Sequence, residues 1–530
     1  MNIVYDFSFL SGMMNSKLVK SSALILLGNV IFRVGGYIYK YLMASLLGPS
    51  ANGIFTLTTP LQGIFQILSA GGLPPAIAKY ISEYNSLNEE DLARQTVFTA
   101  LKIMVLLGLF FGFVMIVFVA PWLANEFYRK PIALLPLQAV GLITPFSVIV
   151  GGFRGAFQGV YKMEYILYTR AIEQIVMILA ATGFVLIGLS AFGAVLGSVF
   201  GFAVSSISAI YIFKKYMGKY LPRPNENFEL SFKEELDLAR KLVTFAIPVS
   251  ITGLAEMGIY SICTFIMGVF LTTGVIGYFG VADPIARLPL IISSSIATSI
   301  LPAASEAFAI NNSFLLQRYV EESYKYGLFF IVPMSLGIAI FSREILGLLF
   351  FAHPEYMNGF SALSILVLGM AFYSIYSISA SIVQGIGNPK IPLYLLIFGC
   401  FVTFILGWHL IPQYGLVGAA LATSIASFAM TVPMFLIQFN LTKTKPPYKF
   451  LFKVLVASLI MIIPSLLLPN DSLGLILGLI ICPIIYVAII VLLRAFDCEE
   501  IKGFKRFSHK LGPLENYFNN FLDIIINFYE

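Results

Sequence analysis

Arg33, Glu256 and Arg287 each stand about 12 to 15 residues inside an apolar run, which at a rise of 1.5 Å per residue puts them ~20 Å deep in a spanning helix. A charge at that depth costs at least ~2.5–3.5 kcal/mol on insertion scales, so such groups face a cavity and act there. Arginine presents a planar array of donors that matches phosphate oxygens, so Arg33 and Arg287 are fitted to hold a phosphate anion that has left water. Glu256 and Asp283 are carboxylates suited to ion coupling or gating. Lys40 follows Arg33 by seven residues on the same helical face, with Tyr37 between them. Lys40 either lines the cavity with Tyr37 or snorkels to the outer interface. Asp283 precedes Arg287 by one turn. The two either neutralise each other as an i, i+4 pair or are shared with a moving substrate. Pro60 and Pro284 each remove a backbone donor, which predicts a kink and a gate.

Other charges read as structural. Arg154, in Gly151-Gly152-Phe153-Arg154-Gly155, is expected to reach the inner interface. Arg170 with Glu173 and Lys79 with Glu83 have the spacing of pairs along one helix. The amphipathic stretch 517–529 is expected to lie on the membrane surface.

The elements that must position these groups are membrane helices. The chain is 58% hydrophobic and 11% charged, with a mean hydropathy of +0.89, a balance that excludes a soluble domain. Apolar runs are continuous rather than alternating, which argues against a β-barrel. At ~20 residues per crossing, about fourteen spans fit. Their expected ranges are 19–47, 51–82, 95–123, 132–160, 164–188, 191–213, 242–271, 275–304, 320–345, 359–386, 391–411, 415–438, 450–468 and 472–494. Lysines and arginines crowd the even-numbered connections and the tail, so both termini are expected in the cytoplasm of a multi-pass plasma-membrane protein. The net charge of +6 is thereby explained by topology, not by nucleic acid. Cys263, Cys400, Cys482 and Cys498 show no CxxC or His/Cys cluster, so no metal, cofactor or disulfide is expected. No GxxxxGK[ST] sequence supports ATP-driven transport. The connections expected outside are short and lack a catalytic loop, which argues for a transporter and against a glycan polymerase or ligase.

The chain also repeats itself. Gly53-Ile54-Phe55 with Pro60 recurs as Gly277-Tyr278-Phe279 with Pro284, 224 residues on. Gln158-Gly159 recurs as Gln384-Gly385, and Phe192-Gly193 with Gly197 loosely as Tyr414-Gly415 with Gly418. This order predicts two six-span lobes, 1–213 and 242–440, joined by a cytoplasmic linker at 214–241. Spans 13 and 14 occupy 441–495 and a cytoplasmic tail 496–530. An even number of spans separates the copies, so they run in the same direction about an axis along the membrane normal. The offset places Glu256 at the second-copy position of Arg33, which predicts an Arg33–Glu256 contact in one state, broken in another.

Leu47-Gly48-Pro49, Gly53-Ile54-Phe55 and 71–80 (Gly71-Gly72-Leu73-Pro74-Pro75-Ala76-Ile77-Ala78-Lys79-Tyr80) resemble the opening of the polysaccharide-transporter family. So do Leu288-Pro289, Ile300-Leu301-Pro302-Ala303-Ala304-Ser305-Glu306 and Gln384-Gly385-Ile386-Gly387-Asn388-Pro389. The set looks most like the stage V sporulation protein B group of the multidrug/oligosaccharidyl-lipid/polysaccharide exporter superfamily. The resemblance implies an all-α membrane protein whose two lobes form a V-shaped cavity with alternating access. It implies as cargo an oligosaccharide on a polyprenyl phosphate or pyrophosphate, with membrane lipids and the pathway's glycosyltransferases as partners of a monomer. Arg33 matches a cargo-contacting first-helix arginine of related lipid II flippases, and Arg287 is similar in place to one in their second lobe. Those relatives carry an Arg-Asp pair where this chain has Tyr39-Lys40, a departure from the lipid II pattern. Coupling to H+, Na+ or the membrane potential stays open. The rival readings are a cation-coupled multidrug exporter, using Glu256 and Asp283, and a membrane glycan polymerase or ligase.

Overall fold

The computed structural model describes residues 17–222, 230–469, 471–497, 500, 519, 522–523 and 525–526, with side chains from Gly35 onward except Leu466. Among the described residues all regular structure is helical. In chain order the helices are α1 (Lys17–Ala70), α2 (Leu73–Ser86), α3 (Glu90–Val114, continuing in wider turns to Phe127), α4 (Leu134–Gly159), α5 (Met163–Phe184), α6 (Ser190–Tyr216), α7 (Phe232–Phe270) and α8 (Thr273–Ala286). There follow α9 (Pro289–Ala309), α10 (Ser313–Ile340), α11 (Ser342–Leu349), α12 (Phe360–Gly385), α13 (Lys390–Thr442), α14 (Tyr448–Ile462) and α15 (Ser472–Leu492).

Ten of the described helical stretches are long and apolar enough to cross a bilayer. Two of these hold two spans each. Residues 163–219 break at Gly188 (φ 96°) and Ser190 (φ 48°), and 390–442 at Gly415 (φ 56°). Helix α1 breaks the same way at Gly48 (φ 69°, ψ 173°). Gly48 is where the backbone needs this freedom, since a side chain there would be strained between two spans. The all-α, multi-pass fold expected from composition is thus present.

The chain forms two compact units, residues 1–281 with 407–416 and residues 282–406 with 417–530. The lobes expected from the repeat are a division by sequence offset, and α7 falls in the first compact unit. The first unit holds a core of Leu73, Ile77, Ile81, Val97, Met104 and Phe157 with neighbours from α6 and α7. The second holds Val320, Tyr324, Leu328, Ile382, Val454 and Tyr486. Leu522, Ile525 and Ile526 of the tail are buried in that second core. These side chains are therefore packed against protein, not laid on a membrane surface.

The repeat is built into the backbone. Left-handed residues fall at Asn88 and Asn311, Tyr161 and Gly387, and Ser190 and Gly415, which are 223, 226 and 225 residues apart. Each of the first two pairs closes a helix by the same return bond: Glu89 N–H to the Tyr84 carbonyl (2.9 Å) and Asn312 N–H to Ala307 (3.0 Å), then Lys162 to Phe157 (2.8 Å) and Asn388 to Val383 (3.0 Å). Within the first unit, Gly159 lies on the Ala78 carbonyl and Ile81; within the second, Gly385 lies on the Leu301 carbonyl and Ala304. The leading motif of each copy meets the other. A Cβ on Gly53 would strike the Thr273 carbonyl, and one on Gly277 would strike the Pro49 carbonyl. Asn52 donates to the Gly277 carbonyl (3.1 Å), and the Ser50 and Thr273 hydroxyls share a hydrogen bond (2.8 Å). These reciprocal contacts define a local pseudo-twofold between α1 and α8.

Candidate functional site

The prolines act differently in the two copies. Helical dihedrals run through Pro60, and the second span instead breaks eleven residues later at Gly71-Gly72, where Gly71 has φ 44°. The Gly72 N–H freed there donates to the Ser250 hydroxyl of α7 (2.9 Å). In the second copy, α8 ends two residues after Pro284, and Arg287-Leu288 form a turn before α9. The Leu288 N–H bonds back three residues to Ile285 (3.1 Å) and the Leu290 N–H three residues to Arg287 (3.0 Å). That tightening reflects the donor missing at Pro284 and the next proline at 289. The break sets Arg287 at a helix end inside an expected span.

Arg287 pairs with Asp283 there. Its Nη2 lies 2.7 Å and its Nε 2.8 Å from Asp283 Oδ1. Both side chains keep some exposure, 25% for arginine and 16% for aspartate, so a second anion can reach the guanidinium. The exposed face of α9 beyond the turn carries Ser295, Thr298 and Ser299, whose hydroxyls donate back to carbonyls one turn earlier (2.7–3.1 Å). Their lone pairs remain available to hydroxyl donors.

In the first unit, Tyr37 and Lys40 are half-buried on α1. Between them Tyr39 is buried, donating to the Ala194 carbonyl (2.7 Å) and lying 3.3 Å from Ser198 Oγ. Arg33 lies in α1, but its side chain and the expected Arg33–Glu256 contact fall outside the described residues. Glu256 is exposed on α7, with no ion pair among the described side chains.

The structure also assembles a buried charged cluster that spacing does not reveal. Arg154 packs within the first unit, where its Nη2 meets Glu173 Oε2 at 2.8 Å. Its Nε donates to Thr169 Oγ1 (3.0 Å), and Nη2 also reaches Ser205 Oγ (3.3 Å). Glu173 is 2% exposed, so this pair is desolvated. Arg154 thus pairs with the carboxylate that spacing alone sets beside Arg170. Lys79 likewise lies over the Tyr80 and Phe245 rings, 4.6 and 5.0 Å from their centroids, rather than on Glu83.

Residues 18–308 match the polysaccharide biosynthesis protein family, and residues 248–409 match the MatE family. The chain belongs to the polysaccharide biosynthesis protein family. An uncharacterized membrane protein of Methanocaldococcus jannaschii is 28% identical over 78% of this chain and 96% of its own length. The lipid II flippase MurJ of Bacillus subtilis is 24% identical over 78% of this chain and 81% of its own length. The stage V sporulation protein B of the same species is 23% identical over 76% and 80%. Two solved structures share the fold: a lipid II flippase MurJ in an inward closed conformation (TM-score 0.70, 18% identity, 87% of this chain and 97% of that one) and an inward-facing MATE multidrug resistance transporter (0.64, 16%, 78% and 94%). This member of the polysaccharide biosynthesis protein family is thus related to proteins named as flippases and transporters, not enzymes.

Proposed function

We propose that the protein is a flippase that moves an oligosaccharide linked to a polyprenyl phosphate or pyrophosphate across the cytoplasmic membrane by alternating access. The observation that carries this reading is Arg287 at the α8–α9 break, paired with Asp283 and with a quarter of its side chain exposed. The phosphate of the carrier binds the guanidinium, the glycan hydroxyls find acceptors on Ser295, Thr298 and Ser299, and the polyprenyl tail stays in the bilayer. Arg33 supplies the second cation from α1, with Tyr37 and Lys40 on the same helix. The relatives named lipid II flippases support the cargo class. Both termini lie in the cytoplasm, and the protein works as a monomer beside the pathway's glycosyltransferases.

The exposed carboxylate of Glu256 supports a second reading, in which the chain exports organic cations as multidrug transporters of this fold do. In the flippase reading the same group takes H+ or Na+, or senses the membrane potential, to drive the return step. One assay separates them: proteoliposomes loaded with a fluorescent polyprenyl-pyrophosphate glycan, read by dithionite quenching. Wild type should flip the lipid, and Arg287→Ala should lose on the order of 10- to 100-fold in rate, the cost of deleting one charge-assisted contact of ~1.5–3 kcal/mol. Drug-driven proton flux without lipid movement would overturn the flippase reading.

A further inference from the structure

The end of α6 and the turn after it carry three exposed lysines, Lys214, Lys215 and Lys219. Lys214 and Lys219 have no ion-pair or hydrogen-bond partner among the described side chains, and both are exposed. Lys215 is held by tyrosines, 2.8 Å from the Tyr211 hydroxyl and 5.3 Å from the Tyr216 ring centroid. Tyr216 stacks on Tyr165 of α5 (5.9 Å), and Lys162 lies over the Tyr220 ring at 4.4 Å. Among the described residues the carboxylate paired with these cations is Glu164, 3.5 Å from Lys162. Elsewhere among the described residues Arg318 meets Glu322 (2.8 Å), Lys325 meets Glu321 and Glu500 (3.1 and 2.8 Å), and Lys102 meets Glu235 (2.7 Å).

The same helix presents an apolar stripe that leads to the lysines. Phe200, Val204, Ile207 and Tyr211 are exposed at spacings of four, three and four, one face of α6. Lys214 and Lys215 continue that face by one more turn. Exposed hydrocarbon of about three turns, then a phenol, then ammonium groups, is the order of depths in half a bilayer: acyl chain, interface, headgroup.

We infer that the end of α6 is a binding site for one anionic phospholipid, its acyl chain along Phe200, Val204 and Ile207 and its headgroup phosphate on Lys214, Lys215 and Lys219. The tyrosines fix Lys215 and Lys162 in place, so little side-chain freedom is lost on binding. The site is separate from Arg287 and independent of the cargo assigned above.

Native mass spectrometry of the full chain in detergent, titrated with phosphatidylglycerol or phosphatidylcholine, tests this. Wild type should retain one phosphatidylglycerol in preference to phosphatidylcholine. Replacing the three lysines by glutamine (Lys214→Gln, Lys215→Gln, Lys219→Gln) should weaken it on the order of a hundredfold, at ~1 kcal/mol per basic residue near an anionic surface. The thermal midpoint should stay unchanged, because the three side chains are exposed. A control with Lys443→Gln, Lys445→Gln and Lys449→Gln removes equal charge elsewhere and should bind as wild type. Ile207→Asn, which keeps the lysines, should weaken phosphatidylglycerol but not water-soluble glycerol phosphate. Equal loss in both lysine triples would show unspecific charge attraction. Full competition by glycerol phosphate would show a site for free anions. Either result overturns the proposal.

Discussion

A guanidinium removed from water can be neutralised by a fixed carboxylate or by a mobile anion, and this chain contains both arrangements. Arg154 is the fixed case: Glu173, Thr169 and Ser205 occupy its donors, and the carboxylate is sealed from solvent. Arg287 is the open case, paired with Asp283 but with a quarter of its side chain exposed. The two should therefore respond differently to mutation. Glu173→Leu should lower stability by ~3–5 kcal/mol, because it strands a buried cation, whereas the double variant Arg154→Leu with Glu173→Leu should recover most of that loss. Unfolding midpoints in detergent measure both; a single variant within ~0.5 kcal/mol of wild type would show that Arg154 finds water instead. Asp283–Arg287 was legible in the sequence because four residues on a helix is itself a contact. Arg154–Glu173 was not, because the partners stand 19 residues apart on two helices. Only the packing of α4 on α5 brings them together, and sequence spacing carries no record of it.

Between elements, glycine decides how closely α1 and α8 can cross. The collision predicted for a Cβ at Gly277 is with the Pro49 backbone, which cannot rotate away as a side chain could. Gly277→Ala should cost ~1–3 kcal/mol as an overpacked contact. Gly274→Ala, one turn away with nothing near its virtual Cβ, should be neutral or slightly stabilising through helix propensity. A paired thermal-shift measurement checks this, and equal effects at both sites would remove the close crossing from the account. The motifs that mark this crossing could be read as a repeat, since the same backbone need recurs in each copy. The site of the break could not. Both copies carry the proline, yet the first span breaks at Gly71-Gly72 and the second at Arg287-Leu288. A proline withdraws one bond, and the surrounding packing decides whether the helix yields there.

Over the whole molecule the backbone is duplicated while the chemistry is not. The Asp283–Arg287 position holds Thr59 and Gly63 in the first copy, and Met257 fills the space over Gly63. The Arg154–Glu173 position holds Ala380 and Phe398 in the second. Each of these two ion pairs is thus neutral in the other copy, and the chain between the copies is tied down at both ends. Arg94 Nη1 donates to the Leu221 carbonyl (2.5 Å) before the linker. Beyond it Ser231 and Glu234 cap the start of α7 reciprocally, and Glu235 takes Lys102 at 2.7 Å and Thr99 at 3.3 Å. The charged residues Lys233, Glu234 and Glu235, within the stretch expected as a linker, are therefore the first turn of α7, ahead of the expected seventh span. The Lys102 ammonium bonded to Glu235 holds that carboxyl below the usual carboxylate range, and the Ser231 hydroxyl and N–H do the same for Glu234. A depressed folded pKa gives stability that is present above the unfolded value of about 4.3 and lost as pH falls through the folded one. Lys102 is largely solvated, so the Glu235 pair contributes only ~0.2–1 kcal/mol, up to about fivefold in local opening. Hydrogen exchange over 232–240, corrected for intrinsic rate, should be up to about fivefold slower in wild type than in Glu235→Gln at pH 7. Below the folded pKa the two should converge, since wild type then carries a neutral side chain as well. A ratio that persists there would show that the ion pair with α3 is not the source of the difference, since the Ser231–Glu234 cap is the same in both chains.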